Sequence, residues 1–190
     1  FVRDKGRMCN NILQYGHLYA WARANNRKTV SMRFAYKYQY FHICRTRWHN
    51  FFIYFLAKYA AKLKLIPTVT FDTPDEDLTE KENAMMHGCL VAEGWYARWY
   101  DLFLQYKSEI LSLFAFDAHI ENKVTSLLET SSKDGIIRLG VHIRRGDYAT
   151  WNDGRFLYDD KQMVNIIRQF ILLHPNKRVV IYICGNDPML

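Results

Sequence analysis

Apolar residues along the chain recur at two spacings, and the alternation between them sets out a series of elements. Val2 and Arg3 read as the end of a strand, Gly6 as the turn after it, and Asn10 as the cap of a helix. In that helix Ile12, Gly16, Tyr19 or Ala20, and Arg23 recur every three to four residues, and Asn25-Asn26 closes it. Thr29–Phe34 is predicted as the next strand. Tyr36, Tyr38 and Tyr40 alternate like one face of a strand or an exposed aromatic edge. Trp48–Lys64 has helical spacing, with a stripe of Phe52, Phe55, Leu56, Tyr59 and Leu63 and with Lys58, Lys62 and Lys64 opposite. The pattern predicts a buried stripe with a wet basic back; the sharper alternative is peripheral contact with a membrane.

Strands are predicted at Pro67–Phe71 and Cys89–Ala92, separated by an acidic loop, Asp72–Asn83. Asp101–Glu129 reads as helix with a break near Phe116-Asp117. A linker follows at Ser131–Gly135, then a strand at Ile136–His142, a loop at Ala149–Phe156, a helix at Tyr158–Leu173 and a strand at Arg178–Ile183. Each β-loop-α-β run favours parallel strands joined by a right-handed crossover. The predicted class is α/β in two domains, 1–130 and 131–190. Two strands and one helix make only the beginning of a doubly wound second domain.

Composition narrows this picture. With 49% hydrophobic and 16% aromatic residues in 190, disorder is excluded and a real core is expected. No apolar run is long enough to span a bilayer, and the start, Phe1, shows no secretory pattern. Cys9, Cys44, Cys89 and Cys184 are scattered without metal or redox spacing, so free, mostly buried thiols in a reducing compartment are expected. The net charge of +7 is uneven: Asp4 is the only acid before Asp72. That basic first third suits solvated helix faces, an anionic membrane or carrier, or nucleic acid.

The candidate chemistry lies in Ile136–Tyr148, an apolar run ending in His142-Ile143-Arg144-Arg145-Gly146-Asp147. A strand of this kind delivers charged side chains to its carboxyl edge, where open α/β sheets bind ligands. Two adjacent arginines there suit a diphosphate, because a planar guanidinium matches two oxygens and keeps its charge. Gly146 allows a sharp turn, and Asp147 is placed to brace it or an arginine.

His142-Ile143-Arg144-Arg145-Gly146-Asp147-Tyr148 resembles the His-x-Arg-Arg-x-Asp motif of GDP-fucose-dependent fucosyltransferases, closest to the α1,2-fucosyltransferase family, glycosyltransferase family 11. Gly6-Arg7-Met8-Cys9-Asn10-Asn11-Ile12-Leu13-Gln14-Tyr15 is similar to that family's opening Gly-x-Leu-Gly-Asn-Gln-Met-Phe-Gln-Tyr. Glu93-Gly94-Trp95-Tyr96, followed by Tyr100 and Phe103, resembles its Gly-Tyr-(Phe/Trp)-Gln segment. The three matches keep the family's order.

The resemblance implies a GT-B-like fold of two Rossmann-like domains, the second only partly present here; separately, a start at Phe1 without Met leads to the expectation that residues are missing before it. It implies inverting transfer of fucose from GDP-fucose to a galactose-containing oligosaccharide or lipid-linked glycan, as an α1,2 linkage in bacterial polysaccharide biosynthesis. No metal or other cofactor is implied. The expected location is cytoplasmic or peripheral at the inner membrane face, without nucleic acid. By position, Arg144 takes the β-phosphate; Arg145 takes a second phosphate oxygen, the fucose or a role in the local fold. His142 contacts the nucleotide or holds the turn, Gly146 lets the backbone turn sharply or pass close to the bound donor, and Asp147 orients the arginines. Asn10, Asn11 and Gln14 face the acceptor cleft or cap and pack the helix. The core-fucosylating relatives carry a Glu where this chain has Asn152, which leaves adjacent Asp153 as the candidate base. The family's Ser-Asp-Asp is matched only loosely by Gly185-Asn186-Asp187. Two other classes are compatible: a GT-B transferase using another sugar nucleotide, and a non-enzymatic basic module for nucleic acid or anionic surfaces.

Overall fold

The computed structural model describes residues 1–74, 77–129 and 135–185. Two compact units emerge, Phe1–Glu121 and the chain from Asn122 onward. The expected linker, residues 131–134, lies outside the described residues, as do Asn186 and Asp187.

The first unit is built on three short parallel strands, β1 (Val2–Arg3), β2 (Thr68–Thr70) and β3 (Val91–Glu93), with β3 central. Val2 pairs with Ala92, and Thr68–Thr70 pair with Val91–Glu93. After the Gly6 turn, whose φ of +91° favours glycine, helix α1 spans Met8–Ala24. Its amino cap is Arg7, which makes no side-chain capping hydrogen bond, so Asn10 is not the cap expected but an exposed first-turn residue. Its carboxyl end closes at Asn25, which donates from Nδ2 to the Trp21 carbonyl. Residues from Gln14 to Leu18 and from Ala20 to Ala22 are all buried, so α1 is enclosed rather than one-faced. Gly16 sits where an added Cβ would come within 2.6 Å of the Phe103 ring.

The predicted strand Thr29–Phe34 shrinks to a single bridge, Ser31 with Val2. The Phe34 N–H, next in line to extend the ladder, donates instead to Ser31 Oγ at 3.1 Å and closes a turn, while the Ser31 N–H, on the edge away from β1, donates to His49 Nε2 at 2.9 Å. The following tyrosines lie in turns, with Tyr38 at φ +57°. Tyr38 and Tyr40 pack against the aromatic core of Phe34, Phe41 and their neighbours.

Helix α2 (Phe51–Lys62) is capped by Asn50, whose Oδ1 accepts from the Ile53 N–H at 3.0 Å. Its orientation reverses the expectation. The side against the sheet carries Tyr54, Ala57 and Ala61, which pack with Met32 and Val91. The stripe of Phe52, Phe55, Leu56, Tyr59 and Leu63 faces solvent. The acidic stretch is partly helical, as α3 (Thr79–Met86), with Glu80 and Glu82 in its first turn, where the helix dipole favours acids. Asp101–Glu129 divides into α4 (Tyr100–Gln105), α5 (Lys107–Leu113) and α6 (Ala118–Glu129), interrupted at Phe116, which bridges to Phe41.

The second unit holds β4 (Ile136–Ile143), α7 (Asp160–Leu172) and β5 (Arg178–Gly185). The strands pair in parallel from Ile136 with Arg178 to Ile143 with Gly185. The crossover helix begins at a capping box in which Asp159 and Gln162 satisfy each other's backbone N–H groups. Although β4 is apolar in sequence, Val141 is its only buried residue, and the rest of the strand is half-buried or exposed.

All four cysteines are free, but Cys9, Cys89 and Cys184 are exposed and Cys44 is half-buried, contrary to the expectation of buried thiols. Among the described residues, no helix is long and apolar enough to cross a membrane. No group of three or more His, Cys, Asp or Glu side chains among them is placed to hold a metal.

Candidate functional site

The site is assembled by the turn that leaves the carboxyl end of β4. Gly146 adopts φ +56° and opens a 3-10 turn, Gly146–Ala149, closed by the Tyr148 N–H donating to the Arg145 carbonyl at 3.1 Å. A second turn, Trp151–Gly154, holds Asn152 and Asp153 in left-handed conformations. The short side chains of Asn and Asp tolerate that region better than most.

Asp147 grips Arg144 through both carboxylate oxygens, with Nη2 to Oδ2 at 2.7 Å and Nε to Oδ1 at 3.3 Å. The guanidinium carbon lies 4.4 Å from the Tyr148 ring centroid. Tyr148 stacks on Trp151 at 5.3 Å and 20°, and Trp151 meets Phe156 at 5.4 Å. A cation thus sits at the head of a line of three rings. The hydrogen bond to Asp147 raises the Arg144 pKa above its ordinary value and outweighs the opposing effect of desolvation. Arg144 stays charged under all conditions of interest.

Beside this line lies a cavity of about 410 Å³, bounded by His142, Arg144, Tyr148, Trp151, Tyr158 and Met163 among others. Its size falls within the range of small-molecule sites. One wall is cationic and the rest aromatic or apolar, which suits a ligand with an anionic group joined to a flat or ring-shaped body.

The expected residues separate here. His142 and Arg144 line the cavity. Arg145 instead donates from Nη2 to Asp160, the first residue of α7, and so ties the turn to the crossover helix. Of its three expected roles, this contact matches the one in the local fold. Asp147 takes its place as the support of Arg144. Gly146 provides the turn, while Asp153 is exposed in the second turn and is not part of the cavity wall. The sequence reasoning missed the aromatic wall, although Tyr148, Trp151, Phe156 and Tyr158 crowd into one short stretch.

No protein-family model, no curated protein and no solved structure matches this chain.

The other two motif segments lie in the first unit. Gln14 is fully buried and clasps the backbone of Lys5, donating to its carbonyl at 2.7 Å and accepting from its N–H at 3.1 Å. That bond stitches α1 to the end of β1. Asn11 is also buried, and neither of its side-chain polar atoms has a hydrogen-bond partner among the described residues. Glu93, at the end of β3, pairs with Arg3 at 2.9 Å and Lys5 at 3.6 Å. Gly94 follows at φ +121°, and a Cβ there would lie 2.3 Å from the Phe71 carbonyl oxygen.

Asp4 continues from β1 into the interior, 1% exposed, where Ser31 Oγ lies 3.0 and 3.2 Å from its two carboxylate oxygens. Burial outweighs this hydrogen bond and pushes the carboxyl pKa up to about 7. His49 accepts from the Ser31 N–H on Nε2, so its proton belongs on Nδ1, which faces Thr46 Oγ1 at 2.6 Å. Burial holds the His49 pKa down to about 4. His17, accepting from the Trp99 N–H, is likewise pushed to about 4, first by burial and then by the charge of Arg98.

A larger cavity, about 520 Å³, opens at the opposite ends of β1 and β3 between Trp21, Thr29, Trp48, Met85 and Leu90. Its lining includes no carboxylate or imidazole, so the smaller cavity beside Arg144 is the better candidate for chemistry.

Proposed function

We propose that this chain contributes the acceptor-side domain and the opening of the donor-binding domain of an inverting, GDP-fucose-dependent fucosyltransferase of GT-B architecture. The observation that carries the proposal is Arg144: a motif arginine at the carboxyl end of a parallel strand, held by Asp147, on the wall of a cavity. The ordered resemblance of the three segments supplies the choice of sugar nucleotide and of a galactose-containing acceptor.

In this reading the acceptor hydroxyl attacks the anomeric carbon of fucose from the face opposite the nucleotide. The bond from that carbon to the β-phosphate oxygen breaks, GDP leaves, and the hydroxyl proton passes to solvent or a base. Negative charge grows on the β-phosphate as the bond breaks, and a fixed cation stabilises it most at that moment. Asp147 occupies the Nε and Nη2 edge of Arg144, so the Nη1 hydrogens and the second Nη2 hydrogen remain to meet phosphate. His142 and the aromatic wall then border the sugar-nucleotide body. Asp153, exposed and outside the cavity wall, is a weak candidate for the base in this conformation.

The test is fucose transfer from labelled GDP-fucose to a β-galactoside by the full-length protein, with GDP release measured in parallel. Competition among GDP-fucose, GDP-mannose and UDP-sugars separates this reading from another sugar-nucleotide transferase. Loss of transfer in Arg144→Ala, with the fold intact by circular dichroism, is expected. Unchanged turnover in that variant removes Arg144 from the mechanism.

A further inference from the structure

We propose that the solvent-facing side of α2 is a docking surface for an anionic lipid membrane. Phe51, Phe55 and Tyr59 follow one another at four-residue spacing, and Phe52, Leu56 and Leu63 run beside them on the same side of the helix. Phe52 is 67% exposed and Leu63 is 65% exposed, and every other member of the stripe is exposed too. The side that packs on the unit is the opposite one, through Ala57. A helix that turns its smallest side chains inward and its largest apolar ones outward leaves that outward area without the burial that ordinarily accounts for it.

The charges around the stripe identify the occupant. Lys58 and Lys62 lie along its margin, Lys64 follows the helix, and Lys58 rests over the Tyr54 and Tyr59 rings at 5.7 and 5.9 Å. Trp48, 45% exposed and covered by Arg47 at 5.2 Å, stands just before it. No acid occurs between Asp4 and Asp72, and Asp4 is buried. A second copy of the face would bring lysines against lysines. A nucleic-acid backbone would leave the phenylalanines in water. An anionic bilayer meets both demands, since the rings and Leu56 enter the acyl boundary while the lysines reach phosphate headgroups. The inference does not depend on the sugar-nucleotide reading.

The experiment is co-sedimentation of the chain with vesicles of phosphatidylcholine alone or of phosphatidylcholine and phosphatidylglycerol in equal parts, over a salt series. Binding to the anionic vesicles, weakening as salt rises, is the expected result. Phe52→Gln with Leu56→Gln should reduce it about tenfold or more, since each buried methylene lost is worth roughly fourfold. Lys58→Gln, Lys62→Gln and Lys64→Gln together should reduce it by on the order of a hundredfold. Circular dichroism and melting should be unchanged in both variants, because the altered side chains face solvent. Absence of binding to anionic vesicles, equal binding to both vesicle types, or a lipid-independent dimer that the Phe52→Gln, Leu56→Gln variant dissociates would overturn the proposal.

Discussion

Replacing Asp4 by Asn should make the first unit more stable as pH rises, and the size of the gain follows from the carboxyl's surroundings. In the unfolded chain Asp4 ionises near 3.8; in the folded unit burial raises this to about 7. Between those values the folded state binds the proton that the unfolded state releases. Stability therefore falls as pH rises through that window, and the loss is complete above it. At roughly 1.4 kcal/mol per pH unit the loss is on the order of 4 kcal/mol, a large part of the ~5–15 kcal/mol that stabilises a domain. His17 and His49 act with the opposite sign. Their folded pKa values lie near 4, below the ordinary 6.5, so they contribute stability as pH rises from about 4 to 6.5. The wild-type curve is a sum of these effects; the difference between wild type and Asp4→Asn isolates the carboxyl. Urea unfolding followed by tryptophan fluorescence suits the measurement, since four of the five tryptophans lie in the first unit. The variant's relative stability should climb from pH 4 to pH 7 and then level off. Any fixed cost of placing an amide beside Ser31 shifts that difference curve without changing its slope. A flat difference across pH 4–8 would refute the reasoning.

Three further outcomes are expected. Gly94→Ala should cost about 3 kcal/mol or more in urea unfolding, because it combines a strained positive φ with a clash against the Phe71 carbonyl. Arg144→Ala should abolish GDP binding in calorimetry at unchanged melting temperature, whereas Arg145→Ala should mainly lower the melting temperature of the second unit; equal effects on binding would show that the division of labour seen here is wrong. With Ellman's reagent, Cys9, Cys89 and Cys184 should react promptly and Cys44 should lag. Burial pushes the Cys44 thiol up to about 11, and it donates to the Tyr38 carbonyl at 3.3 Å. Four equally fast thiols would contradict that placement.

Much of the second unit was legible in the sequence, because Ile136–Ile143 and Arg178–Gly185 are runs rich in aliphatic residues separated by one helix-length stretch of helical periodicity. The helix Phe51–Lys62 was legible as a helix but not in its orientation. Apolar periodicity reports that a stripe exists, and here the contact was made by Tyr54, Ala57 and Ala61, which carry little weight in such a pattern. The strand expected at Thr29–Phe34 failed because the Ser31 hydroxyl, three residues back, takes the Phe34 N–H that the ladder would have used next, a competition that apolar periodicity does not register. At the candidate site the basic turn was visible as a unit. The parting of Arg144 from Arg145 was not, because it depends on where α7 delivers Asp160.

In the proposed reading, the double grip of Asp147 on Arg144 also bears on how quickly and how selectively an anion would be captured. A loose arginine surrenders about 2 kcal/mol of rotamer freedom when a ligand arrests it, but here folding has already fixed that side chain. An arriving phosphate group would meet a stationary target whose donors point in set directions. Discrimination among anions would then rest on their shape and oxygen spacing more than on their charge.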